Sequence, residues 1–389
     1  MTHIPTFAAV FIAGVIFRLI IFGVAALSLL HNEAGIPVSP LLVQQGIDFH
    51  FYVESAEKLF ATQANSILQS FSDYYNQPLS EMLGILVAGP VVPAMIFLSD
   101  YHDGNTLPLS LTYLLIGCAT LFIWLRWMQE NGMPTRLLIL FALLPNSIWF
   151  TINISSDLPF ALCVGIFYTA YFSKRRDRTR IALIMLAVVL AVFTRPNGVS
   201  IFLFLIIDCL FFQSNMSRQR RFVIAGVGAM VGFVLAVYLL PYFVSIVKAS
   251  SAAPVYTYFG AHQSDYLNGI FPSLPIWLDL PISWFALFGS KILYFVGLRP
   301  SFSDLSLWIV VIRAAAGVIL LPGLLYIFLR CNNSHRIFVA FFLLPIFIGP
   351  SQDRYNLAIF PLLFFFGWQA YAGMIDGFSR RSPRPREVL

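Results

Sequence analysis

About ten apolar runs, each close to the roughly 20 residues a helix needs to cross a bilayer, are strung through this chain of 389 residues. Only 11% of the residues are charged, against the roughly 25% of an ordinary globular chain. The runs fall near 7–30, 107–127, 135–151, 157–173, 181–194, 198–213, 222–246, 304–329, 337–350 and 356–375. They are too long for the alternating ten-residue segments of a membrane β-barrel. The fold class this predicts is an all-α polytopic membrane protein with about 10 transmembrane helices.

Charge orients the expected bundle. Sixteen of the 24 Lys and Arg residues lie in five short breaks: Arg126 to Arg136, Lys174 to Arg180, Arg218 to Arg221, Arg330 to Arg336, and Arg380 to Arg386. Thirteen of the 18 acidic residues fall in the other set of connections. Lys and Arg are retained on the cytoplasmic side of a polytopic protein, so the acidic set faces outward. The expected location is the plasma (inner) membrane. The net charge of +6 sits at the cytoplasmic boundary, suits anionic lipid headgroups, and gives no argument for nucleic acid.

Two more apolar stretches, 80–99 and 282–298, would break this alternation if they spanned. The first contains Gly89, Pro90 and Pro93; the second contains Lys291 and is bounded by Pro281 and by Arg299-Pro300. They are read as interfacial or re-entrant pieces on the outer face, where irregular backbone is tolerated if it lines a cavity. The organisation is then one membrane domain, 1–389, with a first outer loop at 31–79, a second outer segment at 247–303 and a basic cytoplasmic tail at 376–389. The first run, near Thr6 with Arg18 inside it, has no small-residue cleavage site and reads as a retained helix. No internal repeat of the inverted-transporter kind is visible.

Four outward landmarks carry candidate chemistry. Asp48 lies in Gly46-Ile47-Asp48-Phe49-His50-Phe51-Tyr52, ahead of an amphipathic stretch to Leu68. A carboxylate there is placed to take a proton from an acceptor hydroxyl, or is a solvated loop acid. Asp157, in Ser155-Ser156-Asp157-Leu158-Pro159, opens a helix, where Ser and Asp are ordinary caps. Thr194-Arg195-Pro196-Asn197-Gly198 joins two apolar runs with no room for a loop. It puts an arginine at or below the interface, either as a functional group or as a snorkelling anchor. Gln352-Asp353-Arg354-Tyr355 places a second arginine on the same side, with Asp353 as an alternative local partner. A guanidinium fork suits phosphate. Lys248, Lys291 and Arg299 are the other outward cations. Asp157, His50, Tyr52, Asn197 and Tyr355 are the candidates to bind the polar groups of a ligand beside these cations.

The six histidines and four cysteines are dispersed, with no CxxC or His-x₃-His spacing. No metal site and no disulfide framework is indicated. A hard cation held by Asp48, Glu54 and waters stays open. No Walker loop or dinucleotide fingerprint is present, so no cofactor is expected.

The order of these motifs resembles the integral-membrane glycosyltransferases of the GT-C superfamily. An acidic first outer loop is followed by an amphipathic stretch and by Gly89-Pro90-x-x-Pro93. The nearest likeness runs from Leu144-Pro145-Asn146-Ser147-Ile148 through Ser156-Asp157 and Leu158-Pro159-Phe160 to Thr194-Arg195-Pro196-Asn197-Gly198. It resembles the Pro-Ala-Ser-Ile, Ser-Glu-x-Leu-Phe and Arg-Ser-Asn-Gly pattern of the GPI mannosyltransferase type that adds the second mannose, with Asp157 where that type has Glu. Asp353-Arg354-Tyr355 with Pro361 resembles a late Arg-Tyr…Pro element of such enzymes.

The resemblance implies a polyprenyl- or dolichyl-phosphate sugar donor, a glycolipid or glycan acceptor, and inverting transfer on the extracytoplasmic side. Asp48 falls on the family's first-loop acid. Three other readings compete. A polysaccharide polymerase or ligase with a lipid-diphosphate donor would favour an Arg-rich late loop, and 247–303 has only Arg299. A lipid flippase or transporter predicts mid-membrane charges, for which Arg18 and Arg313 qualify. A structural membrane subunit leaves Asp48, Arg195 and Arg354 without a purpose.

Overall fold

The computed structural model describes residues 3–30, 89–99, 107–144, 155–173, 178–212, 263–298, 307–348 and 356–381, with isolated positions among 52–56, 148 and 217–230. Every regular element among them is helical. Three helices are long and apolar enough to cross a membrane: the first, through its window Phe7–Val24, then Leu107–Glu130, and Ile276–Phe295. The chain is thus a helical membrane protein. Its residues pack as two compact units, Met1–Leu205 and Ile206–Leu389.

The first unit contains α1 (His3–Leu30), α2 (Val91–Leu98), α3 (Leu107–Glu130), α4 (Thr135–Leu143), α5 (Asp157–Tyr171) and α6 (Arg178–Thr194). A 3-10 turn, Pro196–Gly198, leads into α7 (Val199–Ile207), within which the unit ends. α5 is the central helix. Ten of its 15 residues are buried, from Asp157 to Tyr168, because it is apolar on all sides. It packs on α3 and α6. At its far end Tyr168 meets the indoles of Trp124 and Trp127 on α3. Gly165 lets that contact close, since a Cβ there would lie 2.9 Å from the Trp124 indole nitrogen.

Several helices are short. At 1.5 Å per residue, α5 with 15 residues and α6 with 17 measure about 22 and 26 Å, less than the hydrocarbon thickness of about 30 Å. α4 is shorter still. The apolar run predicted at 135–151 stops as a helix at Leu143, and Leu144 is extended (φ −63°, ψ 126°). The cause is Pro145, which forces the preceding residue out of the helical region and has no N–H to offer Phe141.

Arg18 faces this end. It is buried (2% exposed), and its Nη1 donates to the carbonyls of Gly14 (3.1 Å) and Ala142 (3.0 Å). Of the stretch 80–99, the described part is Gly89–Ser99. It holds only the eight-residue α2, which at about 12 Å is too short to span.

The second unit begins with a π-helical turn, Asp208–Phe212, that widens the end of α7 around the buried Asp208. It continues with α8 (Gln263–Asn268), α9 (Ile276–Phe295), α10 (Leu307–Arg330), α11 (Asn333–Ile348) and α12 (Phe360–Arg381). The stretch 282–298, expected as an interfacial piece bounded by Pro281, is the later part of α9. That helix starts at Ile276 and keeps Pro281 inside it. A polar clasp supports its first turns. Asp279 Oδ1 accepts from the Ser283 hydroxyl (2.7 Å) and from Phe271 N–H (3.0 Å), and Ser283 Oγ accepts from Ile270 N–H (2.9 Å). Gly269, at φ 96°, lies where any Cβ would strike that carboxylate.

α12 overruns its predicted end and carries the helix into the basic tail as far as Arg381. It crosses α10 with backbones in contact. A Cβ on Gly323 would sit 2.0 Å from the Leu363 carbonyl oxygen, and one on Gly367 would sit 2.2 Å from that of Ile319. Small residues that let helices touch are the usual means of association where no hydrophobic drive exists between helices. Gly323→Val is therefore expected to destabilise the second unit by about 1–3 kcal/mol or more, since backbone cannot yield as a side chain does. Thermal unfolding in detergent measures it, with Gly373→Ala, which meets nothing within 4 Å, as the neutral control.

Candidate functional site

One end of the first unit gathers three of the residues singled out from the sequence. Asp157 is the first residue of α5, and Arg195 directly follows the last residue of α6. Arg195 Nη1 forms an ion pair with Asp157 Oδ1; the side chains are 14% and 4% exposed. They are 38 positions apart in sequence, and the antiparallel packing of α5 on α6 brings them together. The third residue, Tyr52, comes from the segment between α1 and α2. It is buried, and its hydroxyl donates to Ser156 Oγ at 2.9 Å.

The expectation that Ser and Asp cap α5 is changed in detail. Ser156 occupies the N-cap but makes no side-chain cap bond, because its hydroxyl is turned to Tyr52. Ser155 Oγ instead accepts the Asp157 N–H at 3.3 Å. The Asp157 carboxylate pairs with Arg195 while still lying in the first turn, where the helix dipole favours a negative charge.

Tyr113 is a site residue that the sequence did not flag. It is fully buried on α3, and its hydroxyl donates to the Ser155 carbonyl at 2.8 Å. From Tyr113, α3 runs six residues further to Leu107, about 9 Å at 1.5 Å per residue. The ion pair is thus recessed below the end of α3.

The Arg195 turn is fixed by backbone. Arg195 N–H donates to the Ala191 carbonyl (3.1 Å), and Gly198 N–H donates to the Arg195 carbonyl (2.8 Å). A Cβ on Gly198 would lie 2.2 Å from the Ala191 oxygen. Gly89 (φ 68°) presses on the same helix end, 2.3 Å from the Phe193 oxygen by the same measure. The Gly89-Pro90 motif therefore belongs to this site, as the piece that lets α2 abut α6. Asn197 lies in the turn and is half-buried.

Lys291 belongs to the second unit, where it is fully buried on α9 in line with Ser283 and Ser290. Asp48, His50, Glu54, Arg299, Arg354 and Tyr355 lie outside the described residues. Among the described residues, no three His, Cys, Asp or Glu side chains gather as a metal site needs.

Chemically, the arrangement offers a guanidinium held in a fixed orientation by a buried carboxylate, with hydroxyl groups at Ser155, Ser156, Tyr52 and Tyr113 beside it. No family model matches this chain, and no curated protein or solved structure is significantly similar to it.

Removing one partner of a buried ion pair strands the other charge, at a cost of about 3–5 kcal/mol. Asp157→Ala and Arg195→Ala should each destabilise the first unit by that order, while the double variant should lose clearly less than their sum. A double-mutant cycle on unfolding in detergent tests this; additive losses would show that the pair is not coupled.

Proposed function

We propose that this protein is a membrane glycosyltransferase. It moves a hexose, mannose-like by resemblance, from a polyprenyl-phosphate carrier to a lipid-linked or glycan acceptor on the extracytoplasmic side. The observation that carries this reading is the Tyr52–Ser156 hydrogen bond, which ties the first outer loop to the Asp157–Arg195 pair. Asp48 lies only four residues before Tyr52 in the chain, so the proposed base and the proposed phosphate-binding arginine belong to segments that meet.

In this mechanism Asp48 takes the proton of the acceptor hydroxyl, whose oxygen attacks the anomeric carbon. The bond from that carbon to the phosphate oxygen breaks with inversion, and polyprenyl phosphate leaves with the electron pair. Negative charge gathers on the phosphate as it departs, and Arg195 donates hydrogen bonds to it. Arg354, Lys291 and Arg299 keep the phosphate-binding assignment drawn from the sequence. Asp157 engages the guanidinium, so its proposed role is to aim Arg195, in place of the ligand-binding role suggested by sequence. His50, Tyr52, Asn197 and Tyr355 are assigned to sugar and acceptor hydroxyls. No metal or cofactor is needed for these steps.

The proposed topology has about 10 spans, both termini in the cytoplasm of a plasma-membrane protein, and the site facing outward. The length of α9 makes this testable. If Ile276–Phe295 crosses the bilayer as an unbalanced extra span, the α10–α11 turn moves to the outer side. Cysteines introduced at Ser72 and Ser334 in a cysteine-free background should be labelled from opposite faces by a membrane-impermeant maleimide. Labelling from one face would overturn the topology.

The roles are separable by mutation. Asp48→Asn keeps size and removes the base, so turnover should fall about 10²-fold or more while donor binding survives. Arg195→Lys keeps the charge and loses the fork, so donor affinity and turnover should both suffer. Release of polyprenyl phosphate from a panel of polyprenyl-phosphate sugars, in nanodiscs, reads both. Near wild-type transfer by Asp48→Asn would remove Asp48 from the mechanism.

A further inference from the structure

We infer that Arg18 is a positioning residue for the Asp157–Arg195 site, acting through the broken end of α4. α4 stops in a buried place, with Ala142 1% exposed, because Leu144 precedes a proline. A helix that stops leaves its last four carbonyls without intrahelical partners, and where they are buried no water replaces them. Had the helix continued, the Ala142 carbonyl would have accepted from residue 146. Instead it accepts from Arg18 Nη1, which spans from the Gly14 carbonyl on its own helix to the end of α4. A cation at a helix C-terminus also opposes the negative end of the dipole.

The approach is enforced by Gly14, where a Cβ would lie 2.8 Å from Leu121 Cδ2 and 3.2 Å from Ala142 Cβ. Arg18 thereby fixes the point at which the chain leaves α4. Thirteen residues on from Ala142 that chain delivers Ser155, which Tyr113 grips by its carbonyl, and then Asp157. Arg18 contacts neither Asp157 nor Arg195 in this scheme; it sets the origin of the segment that carries Asp157. Mid-membrane charge was the feature that favoured a transporter, and this gives Arg18 a different use. The effect on transfer rests on the glycosyltransferase reading, whereas the effect on local order does not.

The test pairs hydrogen–deuterium exchange with transfer kinetics on the full-length protein in nanodiscs. Arg18→Met keeps the aliphatic stem and removes the donors. It should speed exchange of amides in 138–144 and 155–157 about tenfold or more while leaving 114–125 of α3 unchanged. Arg18→Lys retains a donor ammonium and should restore most of the protection. Gly14→Ala keeps Arg18 but sets a methyl against both Leu121 of α3 and Ala142 of α4; it should speed exchange in 138–144 and 155–157 as well, and serves if Arg18→Met fails to fold. In transfer assays Arg18→Met should lower kcat with donor affinity unchanged, and Arg18→Lys should recover it. Unchanged exchange in both segments, or an even rise across α3, α5 and α6, would overturn the inference. Wild-type protein that moves no sugar would refute the transferase reading and leave the exchange result to decide the role of Arg18.

Discussion

A helix that ends in a buried place must find partners for its own polar groups, and this constraint organises the first unit. Unsatisfied N–H and C=O groups cost several kcal/mol each where there is no water. α4 ends next to buried Ala142, α5 begins at buried Asp157 and α6 ends at buried Thr194, and each break is served by a specific neighbour. Arg18 donates to the end of α4, Tyr113 to the turn before α5, and the Pro196–Gly198 turn closes on α6 through Arg195 and Ala191. Glycines at 89 and 198 are needed because the neighbouring backbone comes closer than any side chain permits. Where helices break together, polar side chains must collect. The ion pair is one result of that geometry.

The second unit meets the same constraint differently. The 268–275 loop folds back on α9, and its N–H groups are taken by Asp279 and Ser283, which stand one turn apart. Asn356 donates to the Phe295 carbonyl at 2.6 Å, closing the other end of the same helix. In both units a carboxylate in the first turn of a helix does the fastening. Asp279 holds a loop, whereas Asp157 holds a side chain. Only the second arrangement holds a group with several donors, the guanidinium, in a fixed orientation.

Helical class and membrane character were legible because they depend on composition and run length, which local sequence carries in full. The break at Thr194–Gly198 was legible too, since Pro and Gly have backbone consequences that need no neighbour. The end of α4 was misjudged although Pro145 is in plain view: apolar residues resume at Ile148-Trp149-Phe150 after Pro145-Asn146-Ser147, a wide hydropathy window bridges that gap, and it cannot register a missing N–H. Asp157 and Arg195 could each be picked out as unusual, but their pairing depends on the packing of α5 against α6. Tyr113 gave no signal at all, because a tyrosine in an apolar run looks like any other aromatic until its hydroxyl is seen to have a partner. The start of α9 was missed for the opposite reason. Prolines normally bound helices, but the Asp279–Ser283 clasp supports turns that Pro281 weakens.

The Asp157–Arg195 pair also bears on how a phosphate could be held. A carboxylate in contact with a guanidinium brings the local net charge near zero, so the pair attracts a distant anion little. In the proposed mechanism, long-range attraction must then come from other cations, and Arg195 acts at short range through hydrogen bonds. Arginine suits that division because its charge persists at any ordinary pH and its five N–H donors form a fixed planar fork, one edge of which meets Asp157. A lysine has three donors on one rotating point charge and no such fork. The buried carboxylate thus trades electrostatic reach for orientation, a trade that favours a group whose charge grows during a reaction over one that is merely bound.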